Sequence, residues 1–233
     1  TLEEGSKGLA PGPHYPPYMA YPPMYGATTI EYSVKSDDGW SIDLDDIESK
    51  MDSDVRLLVL INPNNPTGNV ASSEEIDKLV NIAKNWPNCM IVADEIYDGL
   101  YFTGEHVSVA SRSNSVPVFS LNGVSKVYYA PGWRIGYMAI HDPVGSMTDV
   151  RDGIERLLRS RLCASTPAQL GYIAGLEGDR AWMAEYCQRV KRRRQLCLDR
   201  IEKINGIEVE KPGGAFYMFI RLTDEKWAND DKQ

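Results

Sequence analysis

Cysteine is scarce and scattered in this 233-residue chain. Cys89, Cys163, Cys187 and Cys197 form no CxxC pair and follow no zinc-ligand spacing. Neither a disulfide framework nor a metal site is expected, and a reducing, cytoplasmic setting fits best. Positive charge is in deficit, with 25 Lys and Arg against 33 Asp and Glu and a net charge of -8. That balance argues against a surface for phosphate backbones and so against nucleic-acid partners. The one basic run, residues 191–194, falls among Tyr186, Val190, Leu196 and Leu198 at helical spacing and reads as a solvated helix face. No apolar run approaches the roughly 20 residues of a membrane span, and the opening TLEEGSKG has neither the basic nor the apolar part of a secretory leader. A soluble protein without a membrane partner is expected.

What is present is an ordinary globular composition, 42% apolar and 25% charged, long enough to bury a real core. Residues 11–18, Pro-Gly-Pro-His-Tyr-Pro-Pro-Tyr, are too rich in proline for a helix or a central strand and predict an extended, turning loop. Residues 27–34 are β-like and 44–50 read as a short helix. The apolar run at 55–61 has the pattern of a strand buried on both faces and stops at Asn62-Pro63. Ser72 and Glu75 form a capping box ahead of Ile76, Leu79, Val80 and Ala83, which predicts a helix to about Asn85. Further strands are expected at 90–93, 116–121 and 138–140, and helices at 148–162, 167–176 and 180–204. Beyond them, 207–209 and 216–222 look like strands separated by a turn. Apolar strands alternating with helices imply parallel pairing with crossovers, hence an α/β fold.

Three polar features fall just after predicted strands: Asn65 after 55–61, Asp94 after 90–93, and Ser125-Lys126 after 116–121. In open α/β sheets ligands bind outside the carboxyl ends of strands, so these residues converge on one candidate site. Asp94, at the end of a central strand, would lie in low dielectric and need a cationic or protonated partner. Tyr97 lies one turn further on. Lys126, among Val124, Val127, Tyr128 and Tyr129, has an apolar setting that makes an amine a competent nucleophile towards a carbonyl.

Asn62-Pro-Asn-Asn65-Pro-Thr-Gly68, Asp94-Glu-Ile-Tyr97 and Ser125-Lys126, followed by Pro131-Gly-Trp-Arg134-Ile-Gly-Tyr137, resemble the class I and II aminotransferases. These enzymes share the aspartate aminotransferase fold, fold type I of pyridoxal-phosphate proteins. The resemblance covers residues from about 11 to 220, and Asn122-Gly123-Val124-Ser125-Lys126 is similar to the alanine-aminotransferase-like branch. It implies a three-layer α/β sandwich with a mainly parallel central sheet as a large domain over residues 1–185. A linking helix and the start of a small α+β domain would occupy residues 186–233.

The resemblance also implies roles. Lys126 would form a Schiff base with pyridoxal 5′-phosphate and shuttle the substrate proton. Asp94 would pair with the pyridine nitrogen, and Asn65 and Tyr97 would hydrogen-bond the ring oxygen. Arg134 would clamp the phosphate, with Ser125 as a hydroxyl donor beside it and the Tyr15 ring stacked on the pyridine. Substrates would be an L-amino acid, alanine or aspartate, and a 2-oxo acid such as 2-oxoglutarate, in a full-length homodimer. Gly123 stands where many members carry a phosphate-binding serine. The family's phosphate loop and substrate-carboxylate arginine have no counterpart in the sequence, so the chain is expected to be a fragment that does not transaminate alone. Two alternatives are a β-lyase or aminocyclopropane-carboxylate synthase on the same fold, and a cofactor-binding remnant without catalysis.

Overall fold

The computed structural model describes residues 2–224. In chain order it contains β1 (Lys7–Gly12), α1 (Pro17–Ala20), β2 (Thr28–Lys35), β3 (Ser41–Ile42), α2 (Leu44–Lys50), β4 (Val55–Ile61), α3 (Ser73–Lys84) and β5 (Met90–Asp94). Then come β6 (Val118–Gly123), β7 (Gly136–His141), α4 (Thr148–Arg161), α5 (Thr166–Glu177), α6 (Ala181–Ile201), β8 (Ile207–Val209) and β9 (Ile220–Leu222). Seven strands form one sheet in the order β3-β2-β1-β4-β5-β6-β7. The five central strands run parallel, while β3 and β7 pair antiparallel at the two edges. A two-stranded antiparallel sheet, β8 and β9, lies apart from it.

The period of two in a strand sends neighbouring β4 residues to opposite faces. Leu58 and Leu60 join Tyr32, Ile47, Ile76, Leu79 and Ile91 beneath α2 and α3. On the other face Val59 and Ile61 meet Tyr18 and Met19 of α1, and Leu57 belongs to a cluster containing Val150 and Ile154 of α4. Helices on both faces of a mostly parallel sheet make the layered α/β architecture expected from the alternating pattern. Each fully buried branched side chain contributes about 1.5–3 kcal/mol. The α2/α3 face, with five of the seven side chains just named for it at 0% exposure, is therefore the main stabiliser, whereas α4 buries none of its residues fully. The start of α3 is set locally: Ser72 and Glu75 form the capping box read in the sequence.

Several expectations are corrected. Residues 11–18 are not one loop: Pro11 and Gly12 end β1, a central strand, and Pro17 opens α1. Proline is tolerated in β1 because pairing with β4 covers Lys7, Gly8 and Leu9, and Pro11 lies beyond that two-sided part. At the other end, the strand expected over 216–222 is reduced to β9, since Ala215 takes φ 55° and bends the chain. The basic run is not wholly solvated. Arg192 and Arg193 are exposed, but Arg194 is buried, donates to the Pro212 carbonyl at 2.5 Å and lies over the Phe102 ring. Part of the expected small domain, residues 225–233, lies outside the described residues.

Candidate active site

Strand order fixes where a ligand fits. β1 pairs with β2 on one side and β4 on the other, and a crevice opens where consecutive connections diverge, outside the carboxyl ends. The end of β5 supplies Asp94, and the segments leaving β1, β4 and β6 supply Tyr15, Asn65 and Lys126, to a cavity of about 280 Å³. Its wall also includes Tyr97, Ser125 and Arg134. All seven residues singled out in the sequence thus line one cavity, together with Ile61, Ile96, Leu121, Asn122 and Pro131.

The turn after β4 separates building residues from the one that faces the cavity. Asn62 accepts from the Ala71 amide through Oδ1 at 3.0 Å. Asn64 Oδ1 accepts from the Thr67 amide at 3.2 Å and from the Thr67 hydroxyl at 2.9 Å. With those two amides holding backbone, Asn65 is left to line the cavity. Gly68 closes the turn at φ 73°, and a Cβ there would stand 2.5 Å from Pro212 Cβ, so this position must be glycine.

Asp94 is the last residue of β5 and 8% exposed. Its Oδ2 accepts from the Tyr18 hydroxyl at 2.6 Å and its Oδ1 from the Ile96 amide at 3.2 Å. Burial pushes the carboxyl above its ordinary value, opposed by the Tyr18 and Ile96 hydrogen bonds and the charge of Lys126. Tyr18 went unnoticed in the sequence; its signal was an aromatic one helical turn after Tyr15, hidden because Pro16-Pro17 argued for loop. The two rings meet edge to face, 6.1 Å between centroids at 71°, and Tyr15 itself is 44% exposed.

Lys126 stands on the loop between β6 and β7. Val124 and Val127, 1% and 3% exposed, anchor the backbone on either side of it, and its Nζ lies 6.0 Å from the centroid of the Tyr97 ring. The loop closes with Ala130 N donating to Val124 O at 3.2 Å. Arg134 sits in the left-handed region at φ 52°, ψ 42°, a strained choice for a non-glycine residue of the kind that collects at functional sites. Its Nη1 donates to the Pro131 carbonyl at 2.7 Å. Gly123 pairs with Gly136 across β6 and β7, and a Cβ on Gly123 would come within 2.9 Å of Ile135 O and 3.0 Å of Gly136 Cα. The glycine that departs from the expected serine is thus required by the close approach of the two strands.

Tyr97 is 2% exposed and its hydroxyl lies 2.6 Å from that of Tyr217. It stands on a turn rather than a helix. Among the described residues no group of His, Cys, Asp and Glu could hold a metal, and no helix is long and apolar enough to cross a membrane.

The donor set suits a small anionic aromatic aldehyde with a basic ring nitrogen. An amine able to attack a carbonyl, a buried carboxylate wanting a proton or cation, a guanidinium beside a hydroxyl for an anion, and an aromatic ring all line one cavity near the small end of the ligand-pocket range. The fold and the lining of this cavity fit the pyridoxal-phosphate-dependent class of α/β enzymes. The whole chain, residues 1–233, matches the family Aminotransferase class I and II and belongs to it; its members use pyridoxal phosphate. The chain is 35% identical to the alanine aminotransferase of Mycobacterium tuberculosis, a match covering 100% of this chain and 54% of that protein. It is also 35% identical to the glutamate-pyruvate aminotransferase of Escherichia coli, covering 100% of the chain and 58% of that protein. A solved alanine aminotransferase from Pyrococcus furiosus superposes with a TM-score of 0.95 at 42% identity, over 99% of this chain and 58% of that one. The chain therefore spans a little more than half the length of the relatives it matches.

Proposed function

We propose that this chain carries the cofactor-holding site of an aminotransferase that moves an amino group between L-alanine and a 2-oxo acid such as 2-oxoglutarate. The observation that carries the reading is the single cavity shared by Lys126, Asp94, Asn65, Tyr97, Ser125, Arg134 and Tyr15. Alanine is preferred over aspartate because two similar curated relatives are named for alanine and for glutamate-pyruvate transfer. The reading includes a large domain over 1–185 with residues 186–233 leading into a small one, and a homodimeric, cytoplasmic full-length protein.

Bound pyridoxal phosphate would supply an electron-withdrawing ring joined to the amine of the protein or the substrate. The residues then divide the work. Lys126 would hold the cofactor through its Nζ and, when that amine is free, would move a proton at the substrate Cα. Asp94, buried and with its carboxyl raised by that burial, would hold a proton on the ring nitrogen. Asn65 and Tyr97 would donate to the ring oxygen, Arg134 and Ser125 would hold the phosphate, and the Tyr15 ring would cover one face.

The test is optical. Pyridoxal phosphate added to the chain should give a visible band that borohydride abolishes and that Lys126→Ala lacks entirely; an identical band in both proteins, or none in the wild type, defeats the proposal. Oxo-acid release that needs no acceptor substrate would favour a lyase on the same site.

A further inference from the structure

We infer that Tyr217 is a positioning residue for Tyr97: its hydroxyl donates to the Tyr97 oxygen and so turns the Tyr97 proton towards the cofactor's ring oxygen. This rests on the reading above. The two oxygens are 2.6 Å apart. A phenol has one proton and two acceptor positions, so within such a pair one hydroxyl donates and the other keeps its proton for a third partner. If Tyr97 serves an anionic oxygen, Tyr217 must be the donor within the pair. Hydrogen bonds in a chain polarise one another, so accepting from Tyr217 makes Tyr97 a stronger donor.

The surroundings hold Tyr217 to that task. Its ring meets the Tyr97 ring edge to face at 5.5 Å and 86°, and Phe216 meets the same ring at 5.4 Å and 85°. One segment thus clamps Tyr97 from two directions. That segment is tied to the sheet side of the molecule: Ala215 N donates to Leu100 O at 2.9 Å, Phe102 N to Gly213 O at 2.8 Å, and the Gly213 and Gly214 amides both donate to Gly68 O at 2.9 Å. From α6, Arg194 holds the Pro212 carbonyl. Tyr217 lines a second cavity, about 480 Å³, which shares Ser125, Lys126 and Pro131 with the smaller one. The hydroxyl pair therefore joins a residue of the smaller cavity to a residue of the larger one, and Lys126 belongs to both walls.

The experiment is a pH titration of the visible band of the pyridoxal-phosphate-loaded chain. In the loaded chain a proton shared between the cofactor-bound nitrogen and the ring oxygen would be lost at high pH, and that oxygen would then depend more on donors from the protein. A donor stabilises the high-pH form and lowers the midpoint. Tyr97→Phe should raise the midpoint by about one unit, and Tyr217→Phe by a few tenths of a unit in the same direction. The double variant should titrate like Tyr97→Phe alone, because Tyr217 acts through Tyr97. A Tyr217→Phe midpoint equal to the wild type, or a shift that adds in full to that of Tyr97→Phe, overturns the inference while the band itself keeps the cofactor reading. Absence of the band in the wild type overturns both. Should Tyr217→Phe fail to fold, 3-fluorotyrosine at position 217 keeps the ring and strengthens the donor; the midpoint should then fall, and an unchanged or raised midpoint refutes the role.

Discussion

Asp94 and Arg134 line the same cavity, yet the protein holds them in different ways. Asp94 closes a central strand, is 8% exposed, and has both oxygens engaged, one by a side chain from α1 and one by backbone just beyond β5. Arg134 is exposed on the loop before an edge strand, and its guanidinium bonds a carbonyl three residues earlier in the same loop. The acid is therefore placed by the fold, and the cation by its own loop. Pre-organisation differs accordingly. A ligand meets a carboxylate already desolvated and oriented, but an arginine that must give up a local carbonyl before it can clamp an anion.

Breaking the acid side should cost most. Asp94→Asn removes the charge that a protonated ring nitrogen would meet in a buried setting, and a charge-assisted hydrogen bond is worth about 1.5–3 kcal/mol. Pyridoxal-phosphate affinity, read by titrating the visible band, should fall about 10- to 100-fold. Arg134→Ala should fall less, about tenfold, because an exposed cation is screened by salt and already satisfied within its loop. The wild-type affinity should also weaken with rising salt while that of Arg134→Ala stays nearly flat. Equal losses for the two variants, or a steeper salt dependence in Arg134→Ala, would erase the contrast.

The same contrast decides what was legible in the sequence. That Asp94, Asn65 and Lys126 would share one cavity was legible because each lies shortly after an apolar run, and a buried strand announces its own end. Helix α3 was equally plain, since a capping box and apolar spacing are local signals. Strand β1 was missed because Gly8, Ala10 and Pro11 lack the bulk and branching of a strand; it is a strand because two neighbours pair with it. Tyr18 and Tyr217 were missed for a related reason: each matters through a hydroxyl that meets another residue 76 or 120 positions away, and no spacing rule reaches that far. Arg194 looked solvated because charge alone was read, whereas a carbonyl and an aromatic face receive it. Positions set by pattern were readable, and positions set by tertiary pairing were not.

The smallest effect sharpens the comparison most, because it appears without cofactor. Burial raises the Asp94 carboxyl above its ordinary value, so in the cofactor-free chain the folded state holds that proton to higher pH than the unfolded state does. Between the unfolded value, near 3.8, and the higher folded one, folding binds the extra proton and stability falls as pH rises. Above the folded value the loss is complete. Asp94→Asn carries no such proton. The Tyr18 hydroxyl can turn to accept from the new amide, so the α1 contact survives. The variant should therefore match the wild type below about pH 4 and melt about 2 °C higher at neutral pH. Adding pyridoxal phosphate should reverse the order, since the ring cation stabilises the carboxylate and the amide offers it nothing. Melting curves across pH, with and without cofactor, would separate this from a simple packing change, which would shift both proteins alike at every pH. Arg134→Ala should show no comparable pH-dependent gain, because its guanidinium stands in solvent rather than in a buried setting.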